Sequence, residues 1–145
     1  MKTLLIFLAL VFHLMMMASC GSRLPLPVEI EAADMCAQCK MAISEKRYAA
    51  ETIDGDRNAI KFDNLDCMLR YASRHDLKDK QTAWFVMDSE GKKWLDARQA
   101  FLVKSASIPG PMGSGILAGR DRATADELAK RFSGRILRFD DLWGH

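Results

Sequence analysis

The chain has 145 residues, 49% of them hydrophobic, which is enough for one domain with a packed core. Its 21 basic and 19 acidic side chains leave a formal net charge of +2. That balance argues against nucleic acid as a partner, which calls for a basic face, and no run of lysine and arginine in the sequence addresses a membrane surface.

Met1 to Thr3 is a short positive head, and Leu4 to Met17 is an apolar run interrupted only by His13. The run is shorter than the about 20 residues a spanning helix needs, and it suits the core of a secretory signal. Met17-Ala18-Ser19-Cys20 closes it and resembles a lipobox. Residues 1–19 are therefore expected to be a lipoprotein signal peptide, with Cys20 acylated as the first mature residue. An ordinary signal peptide with an incidental cysteine is the alternative. Such a chain is anchored to a membrane and does not span it, and Gly21 in place of an aspartate resembles the signal for outer-membrane sorting. Residues 20–33, with Pro25 and Pro27 and no regular period, read as a tether.

The domain, residues 34–145, opens on Asp34-Met35-Cys36-Ala37-Gln38-Cys39-Lys40-Met41. Two units of the same order follow, at about 46–88 and 92–140. In the first, Tyr48 to Ile53 and Ala59 to Phe62 are strand-like runs around an Asp54-Gly55-Asp56 turn. Asp63 or Asn64 then caps a helix with Leu65, Met68, Leu69 and Ala72 on one face, and Thr82 to Met87 is a buried strand. Lys92 to Ala97 adds a short strand. In the second, Phe101 to Val103 and Gly115 to Ala118 are strands, and Thr124 to Glu127 reads as a capping box. That helix carries Ala125, Leu128, Ala129 and Phe132 at the spacing of the first stripe, stops at Gly134, and leads into a strand over Arg135 to Phe139. The expected class is α+β, a duplicated β-β-α-β unit with mostly antiparallel strands.

Cysteine and methionine carry the candidate chemistry. With Cys20 given to lipid, Cys36, Cys39 and Cys67 remain, an odd number in an oxidising compartment. The Cys36-x-x-Cys39 pair admits a redox couple, a disulfide, a structural zinc site or a soft-metal site. A redox couple wants its first cysteine at a helix start after a strand, and zinc wants four closed ligands where the mature chain has only His75 and His145 besides. Thiolate with thioether selects Cu(I). In an extended segment Cys39 and Met41 would point to the same side. Met112, alone among Pro109-Gly110-Pro111 and Gly113-Ser114-Gly115, gains little as a core residue and could complete a sulfur site. Cys67 lies beside the helix stripe and reads as a buried structural thiol or a reserve ligand. His75 reads as a helix-end cation. No Ser-His-Asp arrangement, paired carboxylates or cofactor fingerprint suggests an enzyme.

In their order, the lipobox, Asp34 to Met41, Tyr48-Ala49-Ala50, Phe62-Asp63 with Cys67-Met68, Trp94 to Ala97 and Pro111 to Gly115 resemble the NosL family, accessory lipoproteins of nitrous oxide reductase maturation. The resemblance implies two β-β-α-β units, similar in part to the organomercurial lyases. It implies a Cu(I)-binding chaperone and not an enzyme, with copper supplied for the reductase and an ABC-type membrane complex as partner. Carried over by position, the metal candidates are Cys39, Met41 and Met112, with Cys36. A thiol–disulfide oxidoreductase using Cys36 and Cys39 is the alternative, and a carbon–mercury lyase a further one by fold analogy.

Overall fold

The structure, a computed structural model, describes residues 25–143. The expected signal peptide, Cys20 and His145 lie outside the described residues. Strands β1 (Ala50–Asp54) and β2 (Ala59–Phe62), helix α1 (Leu65–Arg74) and strand β3 (Gln81–Met87) form the first unit. Strand β4 (Trp94–Asp96) follows, and the second unit comprises β5 (Phe101–Lys104), β6 (Ile116–Gly119), α2 (Arg122–Phe132) and β7 (Arg135–Leu137). Each unit's first strand is central and pairs antiparallel with its second and last, giving the orders β2-β1-β3-β4 and β6-β5-β7. This is an α+β fold of two like units. The sheets meet where Asp88 bridges Ala118 and the Ser89 N–H donates to the Ala118 carbonyl at 2.9 Å. Among the described residues no helix is long and apolar enough to cross a membrane.

The α1 stripe does what its period requires. Leu65, Met68 and Ala72 are buried against Phe62, Trp84 and Val86, with Leu69 half-buried beside them. In α2, Ala125 is buried and Leu128, Ala129 and Phe132 pack around Val103 and Leu117. Trp84, Phe139 and Trp143 close one end of the larger core, with ring centroids 5.3–5.7 Å apart.

Several local expectations are corrected. Tyr48 belongs to a short 3-10 turn, and the strand starts at Ala50. In the β1–β2 loop the left-handed residue is Arg57 (φ 66°) and not Gly55, because the Asp54 carboxylate accepts from the Asp56 and Asn58 amides and shapes a longer loop. Helix α2 begins a turn earlier than Thr124. Asp121 is its N-cap, accepting from the Thr124 amide at 2.7 Å, and the extra turn lets Arg122 pair with Asp126. The left-handed cap at its end is Ser133 (φ 50°). Gly134 is a glycine for a different reason: a Cβ there would sit 2.9 Å from a Val103 methyl and 3.0 Å from the Lys104 carbonyl.

Candidate metal centre

Residues 35–42 form a tight hairpin laid against β2. Met35 bridges Ala42, the Cys36 amide donates to the Met41 carbonyl at 2.8 Å, and the Lys40 amide returns to the Cys36 carbonyl at 3.0 Å. Lys40 is left-handed (φ 63°), so the chain reverses between Cys39 and Met41. The expected extended alternation therefore fails here, and a turn instead presents the two side chains differently. Cys39 is half-buried against the core, whereas Met41 is exposed. The hairpin is fixed to β2 by the Ala37 amide on the Lys61 carbonyl at 2.9 Å and by a 2.6 Å ion pair of Lys61 with Asp34. That pair is half-buried, and the lysine holds the Asp34 carboxyl below its ordinary range.

Helix α1 brings the third sulfur. Its N-cap Asn64 accepts from the Cys67 amide at 2.8 Å, which sets Cys67 in the first turn, facing the hairpin. The Sγ atoms of Cys36, Cys39 and Cys67 all lie within 4.8 Å of one another, and all three are free thiols. Sequence reasoning favoured a structural role for Cys67 and held it only as a reserve ligand, yet it completes the cluster. Two signals pointed there: the odd thiol count, and its place three residues after a strong cap.

The electrostatics favour a thiolate at Cys36. The Cys67 thiol donates to it, and the Cys39, Asp63 and Gln38 amides also donate, drawing the Cys36 thiol far below its ordinary value despite burial. Cys67 goes the other way, because its proton is shared with Cys36 and because it is buried. The two thiols therefore titrate as a coupled pair, Cys36 losing its proton the more readily. Beside them Asp63 is buried, and its Oδ1 has no hydrogen-bond partner. Burial, then the charge on Cys36, pushes its carboxyl above the ordinary range.

A loop of the second unit is held against the cap of α1. The Asn64 amide nitrogen donates to the Pro111 carbonyl at 3.1 Å and the Tyr48 hydroxyl to the Pro109 carbonyl at 2.9 Å, tying the glycine-rich loop to the cap that orients Cys67. At the tip of that loop Met112 is left-handed (φ 54°, ψ 18°) and exposed. A non-glycine residue in this region costs about 1–2 kcal/mol, a strain spent on presenting a thioether to solvent. Among the described residues, Met35, Met41 and Met112 make up three of the five exposed large hydrophobic residues. His75 is away from the cluster, at the end of α1, stacked on Tyr71 at 4.2 Å.

The chain matches the NosL family over residues 27–144. It is 27% identical over 128 residues to the "copper-binding lipoprotein NosL" of Stutzerimonas stutzeri, an alignment covering 80% of this chain and 65% of that protein. The chain thus spans somewhat less than two thirds of that relative's length. Its fold resembles the crystal structure of the copper chaperone NosL from Shewanella denitrificans, with a TM-score of 0.73 at 19% identity over 82% of this chain and 96% of that one.

Proposed function

The chain belongs to the NosL family, and from that premise we propose that it binds Cu(I) at Cys36, Cys39 and Cys67 and hands it to a partner protein. The observation that carries this reading is the convergence of three free thiols within 4.8 Å of one another. Thiolates are soft donors that select Cu(I), and among the described residues neither a histidine nor a fourth cysteine joins the three to close a zinc site. Cys36 is the thiol most readily ionised, and ligation deprotonates the thiols that still hold a proton, so uptake releases protons. Cys39, half-exposed, is the entrance. Met41 and Met112, both exposed, are neutral thioether donors, weaker than thiolate and suited to passing the ion outward.

Further parts of the proposal concern place and partners. Cys20 carries a lipid anchor, the domain faces the periplasm from the outer membrane, and the copper serves nitrous oxide reductase through an ABC-type membrane complex. The description of the Stutzerimonas stutzeri relative as a lipoprotein supports the anchor. The chain acts as a carrier without catalysis. Burial of Cys36, with none of its surface accessible, disfavours the thiol–disulfide oxidoreductase reading, since no protein disulfide reaches its sulfur.

Asp63 supports a second reading. In its protonated form it would move a proton to the carbon of a thiolate-held organomercurial, break the carbon–mercury bond and leave hydrocarbon with Hg(II) on the thiolates. Methylmercury that yields no methane with the reduced protein disposes of it. For the leading reading, the reduced protein titrated with Cu(I) without oxygen is expected to give an X-ray absorption spectrum with sulfur neighbours only. A shell dominated by nitrogen or oxygen would overturn it.

A further inference from the structure

Between α1, the end of β5, edge strand β7 and the C-terminal turn lies a cleft of about 700 Å³. That volume falls in the range of small-molecule sites. Arg70 and Arg74 line it from one helix face, Lys104 from the end of β5 and Arg135 from β7. These four cations come from three separate stretches of the sequence, so the composition gave no hint of them as a group. Among the described residues none of the four side chains makes a hydrogen bond or ion pair, although the charges of Arg70 and Lys104 act on the half-buried Asp66 carboxyl, whereas six other basic side chains do form ion pairs. Asp66 and Asp141 are the only acids in the lining, leaving an excess of two positive charges at this one cleft. The whole chain carries a formal net charge of only +2. Beneath the charges the lining is apolar, with Leu69, Leu137 and the Trp143 ring, which is set edge-on to Trp84 and Phe139.

We propose that this cleft binds an organic phosphate, its phosphoryl oxygens on Arg70, Arg74, Lys104 and Arg135 and its organic part on the Trp143 floor. Four donor-only cations arriving from three elements exceed what a planar carboxylate, with two oxygens, can satisfy. A phosphoryl group offers acceptors in several directions, and guanidinium pairs with it bidentately. Self-repulsion among the four cations, which Asp66 and Asp141 offset only in part, is relieved by such a ligand. The same chemistry arises from a soluble phosphate ester or a phospholipid headgroup, and both are to be tried.

Titration calorimetry of the full chain with sn-glycerol 3-phosphate, and separately with water-soluble dihexanoyl phosphatidylglycerol, tests this. Saturable binding of the first identifies a soluble ligand, and of the second alone a headgroup. Either is expected to weaken by about tenfold or more in Arg74→Glu/Arg135→Glu, from the loss of charge-assisted hydrogen bonds. It should also weaken as salt rises, and stay unchanged in Lys130→Glu, a reversal outside the cleft. Should the double variant unfold, Arg135→Gln alone is expected to weaken binding severalfold. No saturable binding of either probe, equal binding in the cleft variants and wild type, or an equal loss in Lys130→Glu would overturn the proposal.

Discussion

Replacing Asn64 by alanine removes two bonds with one substitution. The side chain caps α1 through the Cys67 amide at 2.8 Å and holds the Met112 loop through the Pro111 carbonyl at 3.1 Å, and it is only 1% exposed. Loss of an asparagine cap costs about 1 kcal/mol, and loss of a buried hydrogen bond about 1 kcal/mol more. Asn64→Ala should therefore destabilise the reduced protein by roughly 2 kcal/mol in urea unfolding, with an unchanged m-value. Asn64→Ser separates the two bonds. Serine is a good cap but too short to reach Pro111, so this variant should lose about half as much. An Asn64→Ala protein within about 0.5 kcal/mol of wild type, the usual range for surface changes, would refute the view that this residue joins the helix to the loop. A serine variant as unstable as the alanine variant would show that the cap contributes nothing.

Burial pushes the Glu51 carboxyl up to about 7, with Oε1 accepting from the Val28 amide and Oε2 without a partner. The folded state therefore holds its proton more tightly than the unfolded one, and stability should fall as pH rises from about 4.5 to about 7. Glu51→Gln should flatten that part of the pH–stability curve, and an unaltered slope would show that another group titrates there. Because Cys39 is half-exposed and Cys36 and Cys67 are buried, iodoacetamide should label Cys39 first, as read by mass spectrometry of tryptic peptides. Equal labelling of all three would mean that the hairpin opens freely. Met41→Leu and Met112→Leu should each weaken Cu(I) retention against a chelator measurably, but less than loss of any cysteine, since a neutral thioether is the weaker donor. Retention unchanged in both would return these methionines to plain surface residues.

Much of the architecture was legible because it rests on local periodicity. The two helix stripes and the strand runs each solve a burial problem within a few residues, and repeat in the same order. The errors arose where two local solutions competed. Asp121 and Thr124 could each cap α2, and the choice went to the one that adds a turn and an Arg122–Asp126 pair. The metal centre was legible only in part. Cys36 and Cys39 stand together in sequence, but the reversal at Lys40 that separates Met41 from Cys39 depends on hydrogen bonds across the hairpin. Cys67 enters through tertiary packing of α1 on that hairpin, which no periodicity encodes. The same holds for the cationic cleft, whose members come from a helix and two strands.

The most direct test of the three-thiol centre is Cu(I) competition between the reduced protein and a colorimetric chelator, comparing wild type with Cys67→Ser. Serine keeps the size and the cap geometry but removes the third sulfur. Affinity should fall by at least about tenfold, comparable to the loss in Cys36→Ser and Cys39→Ser, given how strongly soft metals favour thiolate over hydroxyl. Wild-type affinity in Cys67→Ser would contradict the account, leaving a site built on Cys36 and Cys39 without the helix.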